Sequence, residues 1–283
     1  MSGFCALPLI GQSTQGREST PMPAPAARGA ERKNSISSLE KALDILDYLE
    51  RTGSPRGVRA IETDTGIPKA TAQRLLEVLE SRGFVRKHNG KYALWVGTVH
   101  LARSFRASDG LTRNALPVMR ALMELSEETC SLYVRQGLER ILVERVESPH
   151  PLRFRTPIGE RLPLHIGASG LVLCAAMPDP ELDAYISSLE VVRLAEGTVL
   201  SPEALLERIR AVRRDGFAIG VGERLEGVSS VAAPVDTRDQ GIIAAINVAG
   251  PSTRLDAQKL ERLSIEIRGA ARELSDAYAH SQF

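Results

Sequence analysis

The alternation of apolar and polar positions between residues 37 and 95 predicts a small helical unit that ends in a β-hairpin. A first helix is indicated by apolar residues at helical spacing, preceded by the S-x-x-E capping pattern of Ser37 and Glu40. A short second helix starts near Val58 and ends at residues 65–66. The buried positions expected for the first helix are Leu39, Ala42, Leu43, Leu46 and Leu49.

A third helix and the hairpin follow within a few residues. The third helix is predicted to start at Pro68, since proline is tolerated in a first helical turn, and to end at Gly83. Asn89 and Gly90 then separate two strand-like runs, residues 84–88 and 91–95, as in a type I′ hairpin. The positions expected to pack the third helix on the core are Ala72, Leu75, Leu76 and Leu79.

Three helices and a hairpin in this order predict a winged helix-turn-helix whose third helix enters the major groove of double-stranded DNA. Charge supports this, because residues 66–95 hold six Lys or Arg against two acids in a chain of net charge +1. A solvated helix face, or a winged helix that contacts protein instead of DNA, is the alternative. The candidate DNA-binding residues are Arg59, Lys69, Thr71, Gln73, Arg74, Arg86, Lys87 and Lys91.

The remainder of the chain predicts a tail and a larger second domain. Residues 1–31 are rich in Gly, Pro, Ser and Ala and predict a disordered tail, so that the DNA-binding domain would span residues 32–95. A linker helix is expected over residues 96–111 and an α+β domain with a largely antiparallel sheet over residues 112–283. Its strand-like runs are residues 130–137, 140–148, 152–159, 227–235 and 241–250, and its helical runs are 116–129, 201–216 and 256–278.

Several stretches together resemble the IclR-type transcriptional regulators. The resemblance rests on "SLEKALDILDYLE", "GIPKATAQRLLEVLESRGFV", "GERLPLHIGASG", "GFAIGVGERLEGVSSVAAPV" and "INVAGP", of which the last three in this order are specific. It implies a winged helix joined by a linker helix to a GAF-like effector-binding domain. It also implies a homodimer or tetramer that controls a catabolic operon, as a repressor or an activator, in response to a small organic or aromatic acid.

The resemblance also implies an effector cavity, lined by Gly167, Ala168, Ser169, Glu223, Ser230 and Asn247. Physical reasoning supports part of this set, because "GASG" precedes a helical pattern whose first N–H groups suit a carboxylate and whose Ser169 suits a cap. A plain strand-to-helix turn is the alternative. Leu171 stands where many members have Lys, Ser230 where some have Cys and Gly220 where some carry an acid, so the effector's identity does not transfer.

An enzyme, namely a small-molecule hydrolase, is the competing class. "GASGL" fails the G-x-S-x-G nucleophile pattern at Leu171, and His165 has no acid that would complete a triad with Ser169. No metal-ligand or phosphate-loop pattern is present, so no cofactor is expected. Three cysteines without CxxC spacing predict free thiols, and the chain has no apolar run long enough for a membrane span, which favours the cytoplasm.

Overall fold

The computed structural model describes residues 37–189, 191–237 and 241–281. The chain forms two compact units that divide between Gly97 and Thr98. The predicted tail, residues 1–31, and Cys5 lie outside the described residues.

The first unit contains three helices and a small sheet. Its elements are α1 (Ser37–Thr52), β1 (Arg56–Gly57), α2 (Val58–Thr65), α3 (Lys69–Ser81), β2 (Val85–His88) and β3 (Lys91–Leu94). The three strands pair in the order β1-β3-β2, so the hairpin gains a short third strand that the sequence pattern did not predict.

The core of this unit contains most of the predicted positions, with one correction in α1. Leu39 and Leu43 were expected to be buried, but they are 54% and 52% exposed, whereas Ile45 and Leu49 are buried. The reason is that the buried stripe of α1 passes through Ile45, so it lies further round the helix than the leucine spacing suggested.

The turns follow the backbone demands of the sequence. Gly66, between α2 and α3, has φ +71°, and Pro68 directly precedes α3. Asn89 and Gly90 have φ values of 48° and 73°. Both central positions of the hairpin are therefore in the left-handed region, as a type I′ turn requires.

The second unit combines a main sheet with several helices and a short two-stranded sheet, and α4 leads into it. The elements are α4 (Val96–Ser108), α5 (Gly110–Ser126), β4 (Thr129–Gln136), β5 (Glu139–Val146), β6 (Arg161–Pro163), α6 (Ala168–Ala175), α7 (Asp179–Ser187), β7 (Val192–Arg193), β8 (Val199–Leu200), α8 (Pro202–Asp215), β9 (Ala218–Val221), β10 (Val228–Thr237), β11 (Gly241–Pro251) and α9 (Ala257–Ser281). Asp109 caps α5 by accepting a hydrogen bond from the Thr112 N–H at 2.9 Å. The expected linker segment, residues 96–111, therefore covers α4 and the start of α5.

The main sheet has six antiparallel strands in the order β6-β5-β4-β11-β10-β9. Helices α5 and α9 pack on one face, and α6 and α8 pack on the other. This arrangement confirms the predicted α+β fold with an antiparallel sheet. Cys130 belongs to the core on the α5 and α9 face and Cys174 to the core on the α6 face, and both are free thiols.

One predicted strand is wrong. Residues 152–159 form no strand and instead run as an irregular segment to β6. Proline flanks this segment at Pro151 and interrupts it at Pro157, and proline has no N–H to donate to a ladder. The segment matters for the site, because it brings Phe154 to the face of the sheet that carries α6.

Candidate functional site

A small, partly open polar cavity lies on the α6 face of the sheet. All six residues predicted from the resemblance line it: Gly167, Ala168, Ser169, Glu223, Ser230 and Asn247. Sequence reasoning missed the aromatic and cationic side chains that complete the walls, namely Tyr133, Arg140, Phe154 and Arg224. The geometry therefore brings the predicted set together and adds two arginines to it.

The N-terminus of α6 forms one wall of the cavity. Gly167 precedes the helix with φ +83°, a conformation that favours glycine. Its N–H donates to Oε2 of Glu223 at 2.7 Å, and Oε1 of Glu223 accepts from Arg208. The Glu223 carboxylate was expected to select polar groups of a ligand, but protein donors already occupy both of its oxygens. Its bond to the Gly167 N–H holds the backbone at the residue that precedes α6.

The next two N–H groups of α6 stay available. Those of Ala168 and Ser169 have no acceptor among the described residues, as is usual for the first turn of a helix. The Ser169 hydroxyl also forms no hydrogen bond in this part of the structure, so the expected cap by Ser169 is wrong. Gly167 occupies the cap position instead, because Ser169 already lies inside the helix.

A buried arginine supports the loop that leads into α6. Arg140, on β5, is 3% exposed, and its Nη1 donates to the carbonyl oxygens of Pro163 and Ile166, the latter at 2.7 Å. Gly170 makes this approach possible, because a Cβ there would overlap Nη1 of Arg140 and the carbonyl oxygen of Leu164. The Arg140 guanidinium also lies over the ring of Tyr133, with 5.6 Å between its Cζ and the ring centroid.

The sheet supplies the polar floor of the cavity. Asn247 on β11 is 4% exposed, and Ser230 on β10 is half-buried. Within the described residues, neither side chain has a hydrogen-bond partner in the protein. Buried amides are normally hydrogen-bonded, so Asn247 is placed to bond something that enters the cavity.

The rim of the cavity is connected to α4 by a chain of polar contacts. Arg224 lies over the Phe154 ring at 4.9 Å and donates to the Thr156 hydroxyl at 2.9 Å. The Thr156 carbonyl accepts from Arg145, and the N–H of Arg145 donates to Glu144 at 3.0 Å.

The last contact in this series of polar contacts is made with α4. The Glu144 carboxylate, on a residue only 2% exposed, accepts from Arg106 of α4 at 2.6 Å. A buried carboxylate depends strongly on its cation, so this ion pair attaches α4 to β5.

The hydrolase alternative gains no geometric support from His165. Its Nδ1 lies 2.7 Å from the Tyr185 hydroxyl, and its backbone N–H donates to the same oxygen at 3.1 Å. Burial, with a contribution from the Arg140 charge, lowers the pKa of His165 to about 4. His165 is therefore a neutral, hydrogen-bonded structural residue that packs on Tyr185.

Two kinds of feature are absent from the described ranges of the chain. They contain no group of His, Cys, Asp and Glu side chains arranged to hold a metal ion. They also contain no helix with the length and apolar character needed to cross a membrane.

The candidate DNA-binding residues lie on the surface of the first unit. On α3, Lys69, Gln73 and Arg74 are exposed, and Thr71 is half-buried. Arg59 is exposed on α2.

The wing, residues 85–94, presents further cations. Lys91 is exposed, Arg86 lies over the Trp95 ring at 4.0 Å and Lys87 lies over the Tyr92 ring at 5.5 Å. Stacking on rings limits the positions that these long side chains adopt. The wing thus presents cations held against aromatic rings, and α3 presents an exposed face of mixed polar side chains.

A winged helix-turn-helix followed by a second domain with a polar cavity is typical of a transcriptional regulator. Two family models match the chain: the IclR helix-turn-helix domain over residues 38–89, and the bacterial transcriptional regulator IclR C-terminal domain over residues 106–276. The chain belongs to the IclR family of transcriptional regulators.

Known proteins are similar along most of the chain. The HTH-type transcriptional repressor AllR of Escherichia coli K12 is 29% identical over 247 residues, 87% of this chain and 91% of AllR. The crystal structure of an IclR regulator from Silicibacter sp. TM1040 is 27% identical with a TM-score of 0.77, covering 85% of this chain and 96% of that one. An IclR homologue from Microbacterium hydrocarbonoxydans, solved with 4-hydroxybenzoate, has the same fold, with a TM-score of 0.71, 24% identity, and coverage of 86% of this chain and 99% of that one.

Proposed function

We propose that this regulator is a repressor of a catabolic operon and that a small organic or aromatic acid, bound in the cavity of the second unit, releases it from DNA. The observation that carries the proposal is that Ala168, Ser169, Ser230 and Asn247 line one cavity with hydrogen-bonding groups that no described residue uses. AllR, a repressor of the same family, supports repression over activation. The proposal places the protein in the cytoplasm, where operator DNA lies.

DNA binding is assigned to α3 and the wing. Gln73 and Arg74 are suited to contact base edges, because their exposed side chains project from a helix of the size that fits the major groove. Arg86, Lys87 and Lys91 are suited to contact phosphates, which needs only positive charge at the surface. Lys69, Thr71 and Arg59 complete the proposed surface.

A second copy of the chain is the proposed partner of α4. Val96, Val99, Leu101 and Phe105 of this helix are 48%, 63%, 60% and 47% exposed. Large apolar side chains clustered on one exposed helix mark a protein interface. A homodimer, alone or paired into a tetramer, would present two winged helices to two operator half-sites.

The polar chain from Arg224 to Arg106 is the proposed link between effector and DNA. A ligand that takes hydrogen bonds from Arg224 competes with Thr156 for that side chain. The change passes through Arg145 to Glu144, whose ion pair holds α4. Since α4 directly follows the wing in sequence, a change at this ion pair alters how the winged helices of a dimer are held.

The test uses the full chain and an operator selected from random DNA. Panels of small carboxylic acids, including 4-hydroxybenzoate, are screened by thermal shift, since a ligand at 100 times its dissociation constant stabilises by about 2.7 kcal/mol. A stabilising acid is then added to the protein–operator complex, and release is followed by fluorescence anisotropy. Failure to select any DNA sequence would remove the proposed function.

Substitution of Ala168 by Leu locates the ligand. Ala168 is 1% exposed and lines the cavity, so the larger side chain fills ligand space without altering the winged helix. We expect operator binding to persist and release to be lost. An Ala168→Leu protein that folds, binds operator and responds to the same acid concentration as wild type would place the ligand elsewhere.

Activation is the second candidate, and in vitro transcription from the selected operator separates it from repression. Repression predicts fewer transcripts with protein alone and recovery on adding the acid. An acid-dependent rise above the protein-free level would identify an activator.

A further inference from the structure

Arg140 carries a buried positive charge that no carboxylate neutralises in the described part of the chain. Its Nη1 is used by two neutral carbonyl oxygens, and its buried Nε has no hydrogen-bond partner among the described residues. Buried arginines are normally paired with an acid, because taking a charge out of water is costly. Burial accordingly lowers the pKa of Arg140 to about 10, so the group stays charged at neutral pH at an energetic cost.

A second unneutralised cation lies in the same cavity. Arg224 donates to a hydroxyl and stacks on Phe154, and no carboxylate pairs with it within the residues that the structure describes. Arg224 and Arg140 line the same cavity, and the charge of Arg224 lowers the pKa of Arg140 further. Glu223 does not relieve this, because Arg208 and the Gly167 N–H already hold it.

The neutral groups around these cations favour the same kind of ligand. The free N–H groups of Ala168 and Ser169 lie at the positive end of the α6 dipole, which attracts anions. The rings of Tyr133 and Phe154 hold the two guanidinium planes and offer apolar contact area. An anion with a planar, two-oxygen head and a small apolar or aromatic body satisfies all of these features.

We propose that Arg140 is the residue that makes the cavity selective for a carboxylate, with Arg224 as the second cation on the bound anion. The assignment rests on the proposed function, since it concerns the ligand of the same cavity. It states that the effector's carboxylate supplies the counter-charge that the protein lacks, so a neutral amide of the same shape binds much more weakly. Hydrogen bonds between charged groups are worth about tenfold or more in affinity.

The experiment compares acids with their own amides on the full chain. Isothermal titration measures benzoate against benzamide, 4-hydroxybenzoate against 4-hydroxybenzamide, and succinate against succinamide, all at constant ionic strength. We expect at least one acid to bind about tenfold or more tighter than its amide in the wild type. In Arg140→Gln, the ratio for that pair should fall severalfold, because Arg224 is then the one remaining cation of the two.

Arg135→Gln is the matched control. Arg135 pairs with Arg140 across the β4 and β5 ladder, but its guanidinium binds Glu181 and it does not line the cavity. The control variant should keep the full preference for the acid. Equal loss in both variants, or equal weakening of acid and amide in Arg140→Gln, would show a structural role only and overturn the proposal.

Arg140 also supports the loop before α6, so Arg140→Gln risks misfolding. Arg224→Gln is the second variant, because Arg224 is half-buried and, among the described residues, donates to Thr156 alone. It should also reduce the acid-to-amide ratio, and an unchanged ratio contradicts the proposal. If no acid of the panel binds while a selected operator is still bound, the carboxylate assignment fails and the DNA-binding assignment stands.

Discussion

The two groups of cationic side chains in this protein, one on α3 and the wing and one in the cavity, lie in opposite environments. On α3 and the wing, side chains such as Arg74 and Lys91 are exposed, so water solvates their charge at little cost. In the cavity, Arg140 is buried and fixed by two carbonyl oxygens. The exposed group suits DNA, since affinity for DNA rises with the number of phosphates that are neutralised. The buried group suits a single anion bound at one position.

The largest expected effect tests the exposed surface. The double variant Arg74→Ala, Lys91→Ala should lose about 2 to 4 kcal/mol of operator binding, because it removes one candidate base contact and one candidate phosphate contact. The slope of log affinity against log salt should fall as well. Fluorescence anisotropy with the selected operator at several salt concentrations measures both quantities. Arg272→Ala, an exposed arginine on α9, is the control, and affinity unchanged in the double variant contradicts the assignment.

The next effect tests how tightly the region around Arg140 is packed. Gly170→Ala should destabilise the second unit by about 3 kcal/mol, because the new Cβ overlaps the Leu164 carbonyl and the Arg140 guanidinium. Gly269→Ala, at an exposed α9 position with nothing within 4 Å, should instead stabilise by about 0.5 to 1 kcal/mol. Chemical denaturation measures both variants. Equal behaviour of the two would mean that the region around Arg140 is not tightly packed.

A pH effect follows from the low pKa of His165. In the native state its pKa is about 4 against an ordinary 6.5, so between these values the unfolded chain binds a proton that the folded chain does not. Stability contributed by the neutral residue is therefore complete above pH 6.5 and is lost as the pH falls to 4, by about 3 kcal/mol. Denaturation at pH 7 and pH 5 should show a smaller difference in His165→Gln than in wild type. His100→Gln, at an exposed position on α4, should keep the wild-type difference.

The smallest effect separates reading of bases from attraction to phosphates. Gln73→Ala should cost about 1 kcal/mol at a single base position of the operator and leave the salt slope unchanged, since Gln carries no charge. Binding measured on operators that vary at each position detects this. A uniform loss on all sequences would assign Gln73 a backbone contact instead.

The sequence predicted the first unit well, because local rules decide most of it. Pro68 before α3, Asn89 and Gly90 in the hairpin and the apolar stripe of α3 each act over a few residues. Burial in α1 was less predictable, since the leucine spacing fitted two helix faces and only packing against α2 and α3 selected Ile45 and Leu49.

The cavity was predicted only in part. Its backbone elements carry motifs, so Gly167, Ala168 and Ser169 were recognisable by resemblance. Arg140 carries none, because an arginine in the run "RILVERVES" reads as an ordinary solvent-facing position of an alternating strand. Arg140 faces the cavity because β5 pairs with β6 and the chain then passes over this side of β5 into α6. Neither contact is local in sequence. Phe154 was missed for a related reason, since its segment was expected to be a strand.

The two buried cysteines can report local unfolding on each face of the main sheet. Cys130 and Cys174 lie on opposite faces, and burial raises the pKa of both thiols, that of Cys174 to about 12. Alkylation requires the thiolate and access, so each residue reacts only while its own face is transiently open. In a Cys5→Ser background, mass spectrometry of alkylated peptides would follow the two faces separately. A ligand in the cavity should slow the labelling of Cys174 more than that of Cys130, which gives a kinetic measure of how far its stabilisation spreads through the sheet.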